Sequence, residues 1–566
     1  MSDKPWIASY PKGMRWDLDI APTAVQQILD DTVARFGDRP AIEFMGKRLT
    51  YKELGALTDR GAKGLQALGV GPGVHVGIFL PNSPHTIIAF FSILKAGGTV
   101  VNYSPLDAAK VLEHKIEDSQ TDFLFTLDLA GLYPQMAGML GHTRLKKLIV
   151  GNVAEMTPAP DAVAAKMKEA KETIDVPSDD RHVRFATLLD NDGAYTRHPI
   201  ANPADAIAVL QYTGGTTGLP KGAMLTHANL TSACAQYLES TRYETPLLEL
   251  GNERLLGVLP PFHIYALVVN MLFGIALGAE IVQHMRFDPK AALDDIASKK
   301  ITVFCGVPTM FTALISHPDT PKYDLRSLKF CGSGGAPLPV EVAQRYTAIT
   351  GAEVSEGWGM TETSPTGTFS PMGKSKPGSC GIPLANIVIK MLSLEDPTRY
   401  VPLGEKGEMC IQGPNVMKGY WKNPEATAKD TTFDGFFRTG DVGYMDQDGY
   451  VFIVDRTKDM LLCSGYNVYP RVLEEAIYQH PAVHEVAVIG IPDTYRGQSP
   501  KAFVTLKPGA EPFTLAQLQA FLKDKLGKHE MVHALDIRAE LPKTAVGKLS
   551  KKDLVDEEAR KRAAAA

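Results

Sequence analysis

The sequence predicts an α/β protein with a large N-terminal domain of parallel α/β subdomains and a small β-rich part, followed by a small α+β C-terminal domain. Short β-branched runs alternate with helical patterns over most of the chain, which indicates parallel sheets covered by helices. From Gly404 onward the pattern changes to short strands separated by turns. At 566 residues, the chain also exceeds the roughly 250–300 residues that one hydrophobic core can serve.

Two stretches of the large domain show the alternation most clearly. In a parallel sheet the carboxyl ends of the strands meet at one edge, and ligands bind beyond that edge. We therefore expect binding residues directly after the strands. The strand–helix–strand units are HVGIFLP, IIAFFSILKAGG and TVVNYSP (residues 75–105), and ITVFCGVP, MFTALISH and LKFCGSGGAPL (residues 301–338).

The tail that begins near Arg456 predicts a separate small domain. A helix from about Arg471 to His480 leads into VHEVAVIGI and then KAFVTLK, a βαβ-like unit, and about 110 residues are enough for a domain. The junction IVDRTKD has no Pro- or Gly-rich linker, so one or two residues must absorb any domain motion. We place the boundary so that the domains are residues 1–454 and 455–566.

Composition excludes several classes of protein. A net charge of −5 offers no general attraction to nucleic acid. The six cysteines are scattered without a CxxC pair, which is typical of a reducing compartment and predicts a cytoplasmic protein without a zinc site. No apolar run follows the N-terminal charges, so a secretory signal is not expected. The apolar stretch from Ile264 to Ala279 is shorter than the ~18–20 residues of a spanning helix and predicts a buried helix.

A glycine- and threonine-rich segment, YTGGTTGLPKG at residues 212–222, follows an apolar run. Backbone amides and hydroxyls in such a segment can converge on a polyphosphate, and a lysine adds positive charge. The segment is not a P-loop, because Gly222 stands where the magnesium-binding Ser or Thr would follow the lysine. A plain glycine-rich turn is the alternative. The candidate phosphate-binding residues are Thr213, Gly214, Gly215, Thr216, Thr217, Gly218 and Lys221.

This segment resembles the signature loop of the adenylate-forming superfamily, which includes acyl-CoA synthetases, luciferases and peptide synthetase adenylation domains. Further segments resemble that family's motifs in the same order, over about Gln26 to Leu554. Within this family, the pattern FHIYALVVNMLFGIALG (262–278) is most similar to the bacterial long-chain fatty acyl-CoA ligases. The segments are GSGGAPL (332–338), GWGMTET (357–363), RTGD (438–441), DRTKD (455–459), SGYNVYPRVLE (464–474) and PKTAVGKLSKKDL (542–554).

The resemblance implies a role for each matching residue. Asp455 would be the pivot about which a mobile C-terminal domain rotates between the two half-reactions. Trp358 stands where the family usually has tyrosine, so stacking on adenine is expected and a hydroxyl contact is not. The other implied roles are contact with adenine by Gly334, Gly335 and Ala336, contact with the nucleotide by Gly359, Arg456 and Lys458, the α-phosphate by Thr361, magnesium by Glu362, the ribose hydroxyls by Asp441, the pantetheine path by Ser464 and Gly465, and catalysis by Lys548.

The segment PPFHIYALVVNMLFG (260–274) resembles the family's acyl-pocket helix. His263 would lie at the gate beside the substrate carboxylate and take part in catalysis, with Tyr265, Val269 and Val307 as pocket walls. A core histidine is the alternative for His263, and Val269 at helical spacing could equally belong to the core. The predicted helix after His263 contains no basic residue for a second carboxylate, although a dicarboxylate could be bound from elsewhere.

The resemblance implies an ATP-dependent ligase. A carboxylic acid, expected to be a medium- or long-chain fatty acid, would attack ATP to give an acyl-adenylate, and coenzyme A would then displace AMP. The implied cofactors are ATP, Mg²⁺ and coenzyme A as a substrate. No general base is needed in the first half, since the nucleophile is already ionised. This agrees with the lack of a GxSxG elbow in the sequence.

Other functions stay open at this point. An aryl- or dicarboxylic acid–CoA ligase is the first alternative, followed by a luciferase-like oxygenase and a non-catalytic nucleotide-binding protein. An adenylation module is disfavoured, because no carrier-like segment follows residue 554. Weak peripheral membrane association and modification of Lys548 by a lysine acyltransferase are kept as hypotheses, and the sequence does not indicate the oligomeric state.

Overall fold

The computed structural model describes residues 4–213, 220–457, 459–463, 466–493, 495–527, 530–543 and 549–565. The chain forms two compact units. The first unit consists of Met1–Val388, Ile411–Thr431 and Asp448–Tyr450, and the second of Ile389–Cys410, Thr432–Gln447 and Val451–Ala566. The units are defined by packing, whereas the boundary at residues 454 and 455 marks the pivot of an expected motion, so that boundary stays a prediction.

The strands, numbered in chain order, are β1 (Pro40–Phe44), β2 (Lys47–Thr50), β3 (His75–Ile78), β4 (Thr99–Asn102), β5 (Thr121–Leu127), β6 (Lys147–Gly151), β7 (His182–Arg184), β8 (Ile207–Thr213), β9 (Lys221–Thr226), β10 (Arg254–Gly257), β11 (Glu280–Gln283), β12 (Val303–Gly306), β13 (Phe330–Ser333), β14 (Val354–Glu356), β15 (Thr368–Phe369), β16 (Ile382–Pro383), β17 (Val388–Leu392), β18 (Gly407–Gln412), β19 (Gly419–Tyr420), β20 (Phe437–Met445), β21 (Val451–Arg456), β22 (Leu461–Cys463), β23 (Tyr466–Val468), β24 (Val483–Asp493), β25 (Gly497–Leu506) and β26 (Ala534–Arg538).

The α-helices are α1 (Val25–Phe36), α2 (Tyr51–Ala67), α3 (Pro84–Lys95), α4 (Ala109–Ser119), α5 (Tyr133–Ala137), α6 (Pro160–Glu169), α7 (Phe185–Leu188), α8 (His227–Glu239), α9 (Ile264–Ala266), α10 (Phe273–Ala276), α11 (Pro289–Lys299), α12 (Pro308–Ser316), α13 (Val340–Thr350), α14 (Pro424–Lys429), α15 (Pro470–Tyr478), α16 (Leu515–Leu522) and α17 (Lys551–Ala565). Short 3₁₀ helices span Pro5–Ser9, Val153–Met156, Thr320–Lys322 and Thr361–Thr363, and a π-helix spans Leu267–Leu272.

Two large, mainly parallel sheets build the first unit. One has the order β14-β13-β12-β10-β11-β1-β2 and the other the order β19-β9-β8-β4-β3-β5-β6-β7. Both predicted strand–helix–strand units are present, as β3–α3–β4 and as β12–α12–β13, and each pair of strands is parallel. The predicted α/β fold class is therefore confirmed.

Helix α3 illustrates why the sequence folds in this way. Its residues are all buried, as expected for a helix that is apolar on every side. Pro84 occupies its first position, where the missing N–H costs nothing. The preceding helix α2 is amphipathic instead, and it begins with a capping box in which Thr50 and Glu53 satisfy each other's backbone N–H groups.

The second unit contains the tail. The sheet of the tail has the order β23-β22-β25-β24, with β26 parallel to β25. The predicted helix is α15, which begins at Pro470 and ends at Tyr478. Strand β25 lies antiparallel to both β22 and β24 and separates them, so the βαβ-like unit is a split one. A core that includes Leu473, Ile477 and Leu518 joins α15 and α16 to this sheet.

The apolar stretch from Ile264 to Ala279 is a buried helical segment, as predicted. The sequence did not reveal that its middle, Leu267–Leu272, is π-helical. In the part of the chain that the structure describes, no helix is long and apolar enough to cross a bilayer.

Candidate active site

The first feature of the site is a sheet edge at which β12, β13 and β14 end side by side. Gly306 pairs with Ser333, and Ser333 pairs with Glu356. Beyond the strands, the Gly334 N–H donates to the Gly306 carbonyl at 3.2 Å, and the Gly357 N–H donates to the Ser333 carbonyl at 2.9 Å. The edge thus brings together the segments 332–338 and 357–363, as the position of the motifs after strands predicted.

Close packing explains the glycines of segment 332–338. A Cβ atom on Gly334 would lie 3.0 Å from a ring carbon of Tyr265, so a predicted adenine-binding residue and a predicted acyl-pocket residue are neighbours. Gly335 has a φ of +82°, which favours glycine. Gly335 is exposed and Ala336 is half-buried, so both backbones are accessible to a ligand.

Glycines also hold the indole ring of Trp358. Its ring lies against Gly367, where a Cβ atom would be 2.5 Å from the indole. The Trp358 backbone N–H donates to the Thr368 hydroxyl at 3.2 Å, and its carbonyl accepts from the Thr368 N–H at 3.0 Å. A Cβ atom on Gly359 would lie 1.4 Å from the Pro365 carbonyl oxygen, so only glycine fits there.

Glu362 is a buried carboxylate held by a tyrosine. It lies in the 3₁₀ helix Thr361–Thr363 and is 6% exposed. The Tyr420 hydroxyl donates to Glu362 Oε1 at 2.9 Å, and burial together with this carboxylate raises the pKa of Tyr420 well above its usual range. Tyr420 therefore stays a hydrogen-bond donor at any physiological pH and fixes the orientation of the carboxylate.

The same tyrosine contacts the lysine of the phosphate segment. Lys221 lies opposite Thr213, where β9 pairs with β8. Its Nζ atom is 3.7 Å from the centroid of the Tyr420 ring and 3.3 Å from Asp430 Oδ2. One aromatic ring thus joins the predicted phosphate-binding cation to the predicted metal-binding carboxylate.

Helix α4 supports the two ends of the phosphate segment. The Tyr212 hydroxyl donates to Asp118 Oδ2 at 2.5 Å, and the Trp421 indole N–H donates to the Asp118 carbonyl at 2.9 Å. A ring nitrogen of His114 lies 3.3 Å from the Pro220 carbonyl. These contacts fix Tyr212 near the start of the segment and Pro220 near its end.

The predicted acyl-pocket residues lie around the π-helix. His263 accepts the Tyr265 N–H at 3.3 Å through Nδ1 and so begins the helical segment. The Tyr265 hydroxyl donates to the Gly332 carbonyl at 3.4 Å, and burial raises the pKa of Tyr265. Val269 is buried within the π-helix, and Val307 is half-buried at the N-terminus of α12.

In the second unit, Asp441 and Arg456 are paired. They lie opposite each other on β20 and β21, and the Arg456 Nε–H donates to Asp441 Oδ1 at 3.1 Å. Asp441 is only 5% exposed. A nucleotide ribose that binds Asp441 would therefore meet an oriented carboxylate and an arginine together.

Several predicted site residues lie outside the described residues. They are Gly214, Gly215, Thr216, Thr217, Gly218, Lys458, Ser464, Gly465 and Lys548.

Comparison with known proteins identifies the family. The model of the AMP-binding enzyme family matches residues 29–421, and the model of the AMP-binding enzyme C-terminal domain matches residues 472–548. The chain belongs to the AMP-binding enzyme family.

Relatives of this AMP-binding enzyme span nearly its whole length. A long-chain-fatty-acid–CoA ligase of Bacillus subtilis (strain 168) is 40% identical over 98% of each chain. A feruloyl-CoA synthase of Amycolatopsis sp. is 34% identical over 90% of this chain and 94% of the relative. Among solved structures, ATP-bound MatB from Rhodopseudomonas palustris superimposes with a TM-score of 0.81 at 28% identity, covering 94% of this chain and 99% of MatB.

The donor set of this AMP-binding enzyme fits a magnesium ion that arrives with its nucleotide. Mg²⁺ prefers hard oxygen ligands and usually takes one or two carboxylates, with water and substrate phosphates completing its shell. Glu362 offers one such carboxylate, and Tyr420 holds it in place. Among the described residues, there is no cluster of three or more side chains that could hold a metal alone, so the phosphates would have to supply the rest.

Proposed function

We propose that long-chain fatty acids are the substrates of this AMP-binding enzyme, which is an ATP-dependent acid–CoA ligase. The observation that carries the proposal is the full-length relationship to the Bacillus subtilis long-chain-fatty-acid–CoA ligase. The acyl-pocket segment supports it, because residues 264–269 and 271–276 are uncharged and mainly apolar. Such a wall favours a hydrocarbon chain over a second carboxylate.

The adenylation half-reaction has an electrostatic obstacle. A fatty carboxylate oxygen must attack the α-phosphorus of ATP, forming a P–O bond while the bond to pyrophosphate breaks. Two like unit charges ~4 Å apart repel by about 4 kcal/mol at an effective dielectric near 20, and the triphosphate carries several charges. Fixed cations and amide dipoles lower this barrier without reorganisation.

We assign the charge-stabilising groups as follows. Lys221, Thr361 and the amides of residues 214–218 would bind the phosphates, and Lys548 would bridge the carboxylate and the α-phosphate. Glu362 would hold the Mg²⁺ that travels with ATP, and the chemistry which this ion supplies is neutralisation of phosphate charge. Tyr420 serves this arrangement by orienting Glu362 and by lying under the Lys221 ammonium.

The remaining assignments concern binding and transfer. Trp358 would stack on adenine beside the backbone of Gly334, Gly335 and Ala336, while Asp441 would accept the ribose hydroxyls. In the second half-reaction the thiolate of coenzyme A attacks the acyl carbon, a C–S bond forms and AMP leaves. Ser464 and Gly465 would line the pantetheine path, and His263 would lie beside the reacting carboxyl group.

A pyrophosphate-exchange assay with a panel of acids tests the substrate proposal. We expect palmitate to give a higher kcat/KM than octanoate, ferulate or malonate, since each buried methylene contributes about 0.8 kcal/mol. Preference for ferulate would favour an aryl acid–CoA ligase, the second candidate, which the 34% identity to the feruloyl-CoA synthase of Amycolatopsis sp. supports. No exchange with any acid would refute the ligase assignment altogether.

Substitution of the predicted catalytic lysine separates the half-reactions. We expect Lys548→Ala to abolish pyrophosphate exchange while thioester formation from supplied acyl-adenylate largely persists, because the charge that Lys548 would neutralise belongs to the first half-reaction. Both rates are measured on the same preparation. An equal loss in both half-reactions would contradict the role of Lys548.

The cellular setting is also a proposal. We place the protein in the cytoplasm with weak peripheral attachment to membranes, because its substrates partition into lipid. Co-sedimentation with vesicles containing palmitate tests this, and equal recovery with and without vesicles would count against it. Modification of Lys548 by a lysine acyltransferase would silence adenylation, and mass spectrometry of protein from low-activity cells would detect the acylated residue.

A further inference from the structure

Two ion pairs flank the segment that carries Lys548. The Lys543 Nζ atom is 2.7 Å from Glu485 Oε1 on β24, and the Lys551 Nζ atom is 2.9 Å from Glu474 Oε1 on α15. Between these ion pairs, the backbones of Lys543 and Leu549 form an isolated antiparallel β-bridge. The Ser550 N–H donates to the Pro542 carbonyl at 2.8 Å. The two ends of the segment are thus fixed next to each other and to the body of the second unit.

The partner of Lys551 is itself strongly held. Glu474 Oε1 also accepts the Val488 N–H at 2.7 Å, so α15, β24 and the first residue of α17 meet at one carboxylate. Leu549 and Leu554, on either side of Lys551, pack against Ala487, Ile489 and Phe503. Through its ion pair with Glu474, Lys551 therefore fixes the end of the Lys548 segment relative to α15.

Helix α15 is in turn bound to Asp455, the predicted pivot. Asp455 Oδ2 accepts the Arg471 N–H at 2.9 Å, in the first turn of α15, and Oδ1 accepts the Arg456 N–H at 2.7 Å. The residue at the N-cap of α15, Tyr469, makes no side-chain cap, so this carboxylate supplies the missing acceptor. An anion at a helix N-terminus is also stabilised by the helix dipole.

Among the described residues, Lys551 is the cation that acts on both Asp455 and Glu474. Asp455 is 4% exposed, and its pKa is raised by burial, as is the pKa of Glu474. Glu474, Asp455 and Asp459 all raise the pKa of Lys551 despite its burial. In the part of the chain that the structure describes, Lys551 and Asp459 act on Asp455, and Lys551 and Asp455 act on Glu474. The neutral Tyr478 also lies near Glu474.

We propose that Lys551 is a positioning residue for both half-reactions, which holds the end of the Lys548 segment against Glu474 and balances the buried charge of Asp455. The inference rests on the proposed function, in which Lys548 acts in adenylation and Asp455 is the pivot. Lys551 touches no substrate in this role. It links the pivot to the catalytic segment through a single carboxylate and a single helix.

The test uses the full-length protein and compares Lys551→Met with Lys552→Met. Lys552 is the exposed neighbour in the same helical turn, so the control removes the same charge. Pyrophosphate exchange and thioester formation from supplied palmitoyl-adenylate are measured across the pH range in which both variants stay folded. We expect Lys551→Met to slow exchange by about tenfold to roughly 100-fold, since a misplacement of ~1 Å can cost that much, and Lys552→Met to match the wild type.

The pH profile distinguishes this role from plain stabilisation. Without Lys551, the buried Asp455 and the half-buried Glu474 lose a neighbouring cation. Their pKa values therefore rise further, and the acidic limb of both half-reactions moves to higher pH. Lys551→Arg should keep the wild-type limb. The double variant Glu474→Gln, Lys551→Met should return the limb toward lower pH without restoring the exchange rate, because the segment end stays untethered.

Three results would overturn the proposal or its basis. Wild-type exchange and an unmoved acidic limb in Lys551→Met would refute the positioning role alone, provided that the wild-type protein is active. If Lys551→Met loses its fold, and the double variant does not return the acidic limb to lower pH, the role of Lys551 is purely structural. That result also refutes the proposal. No exchange by the wild-type protein with any acid would instead refute the proposed function.

Discussion

At the scale of single residues, Tyr420 is the side chain that joins two predicted site residues of opposite charge in the first unit. It donates to Glu362 and lies beneath the ammonium of Lys221. Because Glu362 and Lys221 contact the same side chain, a change in the position of one would change the environment of the other. We infer that Tyr420 fixes the position of Glu362, the proposed magnesium ligand, relative to Lys221, the proposed phosphate-binding lysine.

Replacement of this tyrosine by phenylalanine tests that view. A hydrogen bond to a charged group contributes about 1.5–3 kcal/mol, so Tyr420→Phe should raise the half-saturating Mg²⁺ concentration for pyrophosphate exchange by about tenfold or more. The matched control is Tyr323→Phe, which removes another tyrosine–carboxylate hydrogen bond in the same unit, to Asp294 at 2.6 Å. Equal magnesium dependence in both variants would contradict the assigned role.

The sequence motifs predict roles for Thr361 and Glu362 but give no indication of Tyr420 and Asp430, which contact predicted site residues in the structure. Thr361 and Glu362 are recognisable because their neighbours in the chain form one motif. Tyr420 meets Glu362 only through a contact across 58 positions, and Lys221 meets Asp430 across 209. A tyrosine or aspartate is common in any chain, and only the pairing of β9 with β19 brings Tyr420 to this place.

At the scale of elements, the start of α1 depends on a neutral histidine. His227, the first residue of α8, accepts the Val25 N–H through Nδ1 at 3.1 Å. Val25 is the first residue of α1. Burial lowers the pKa of His227 from 6.5 to about 4, which keeps the ring able to accept this hydrogen bond.

This contact predicts a loss of stability in acid. A histidine with a lowered pKa in the folded state binds its proton more tightly when unfolded, so stability falls as the pH drops from 6.5 toward about 4. The full loss is about 3 kcal/mol. Urea unfolding of the wild type and of His227→Gln at several pH values should show a shallower acid dependence in the variant. His142→Gln, at an exposed position, should keep the wild-type slope, and equal slopes in all three proteins would contradict the prediction.

Element types were predictable where period and length agreed. Strand β3, helix α3 and strand β4 follow from short β-branched runs around a longer apolar segment that Pro84 begins. The π-helix Leu267–Leu272 was not predictable, since its residues have the same apolar character as an α-helix. Its one additional residue per turn depends on packing against neighbours such as α8 and β10, which a linear pattern does not record.

At the scale of the whole molecule, the proposed cycle requires the small domain to move. In that proposed cycle, Lys548 and the pantetheine path would use the same opening in turn, so the two half-reactions would need two arrangements. All four tryptophans belong to the first unit. The six native cysteines are buried, so an introduced surface cysteine can be labelled selectively.

Energy transfer from tryptophan to such a label tests the movement. With an acceptor on Asp524→Cys in the second unit, we expect one transfer efficiency with ATP and another with an acyl-adenylate analogue and coenzyme A. An acceptor on Glu169→Cys in the first unit should report the same efficiency in both states. Both chosen positions are exposed. An unchanged signal from Asp524→Cys would refute the rotation.

The path of the chain through its two units has a consequence for modular exchange. Ile411–Thr431 and Asp448–Tyr450 return to the first unit after the chain has already entered the second. If a protease cuts the chain at one of the positions where it passes between the units, the other such positions still join the two units covalently. A recombination event that swaps only the tail would mix ancestries inside one packed unit, so a well-fitted hybrid must inherit Ile389–Cys410 and Thr432–Gln447 along with everything after Tyr450.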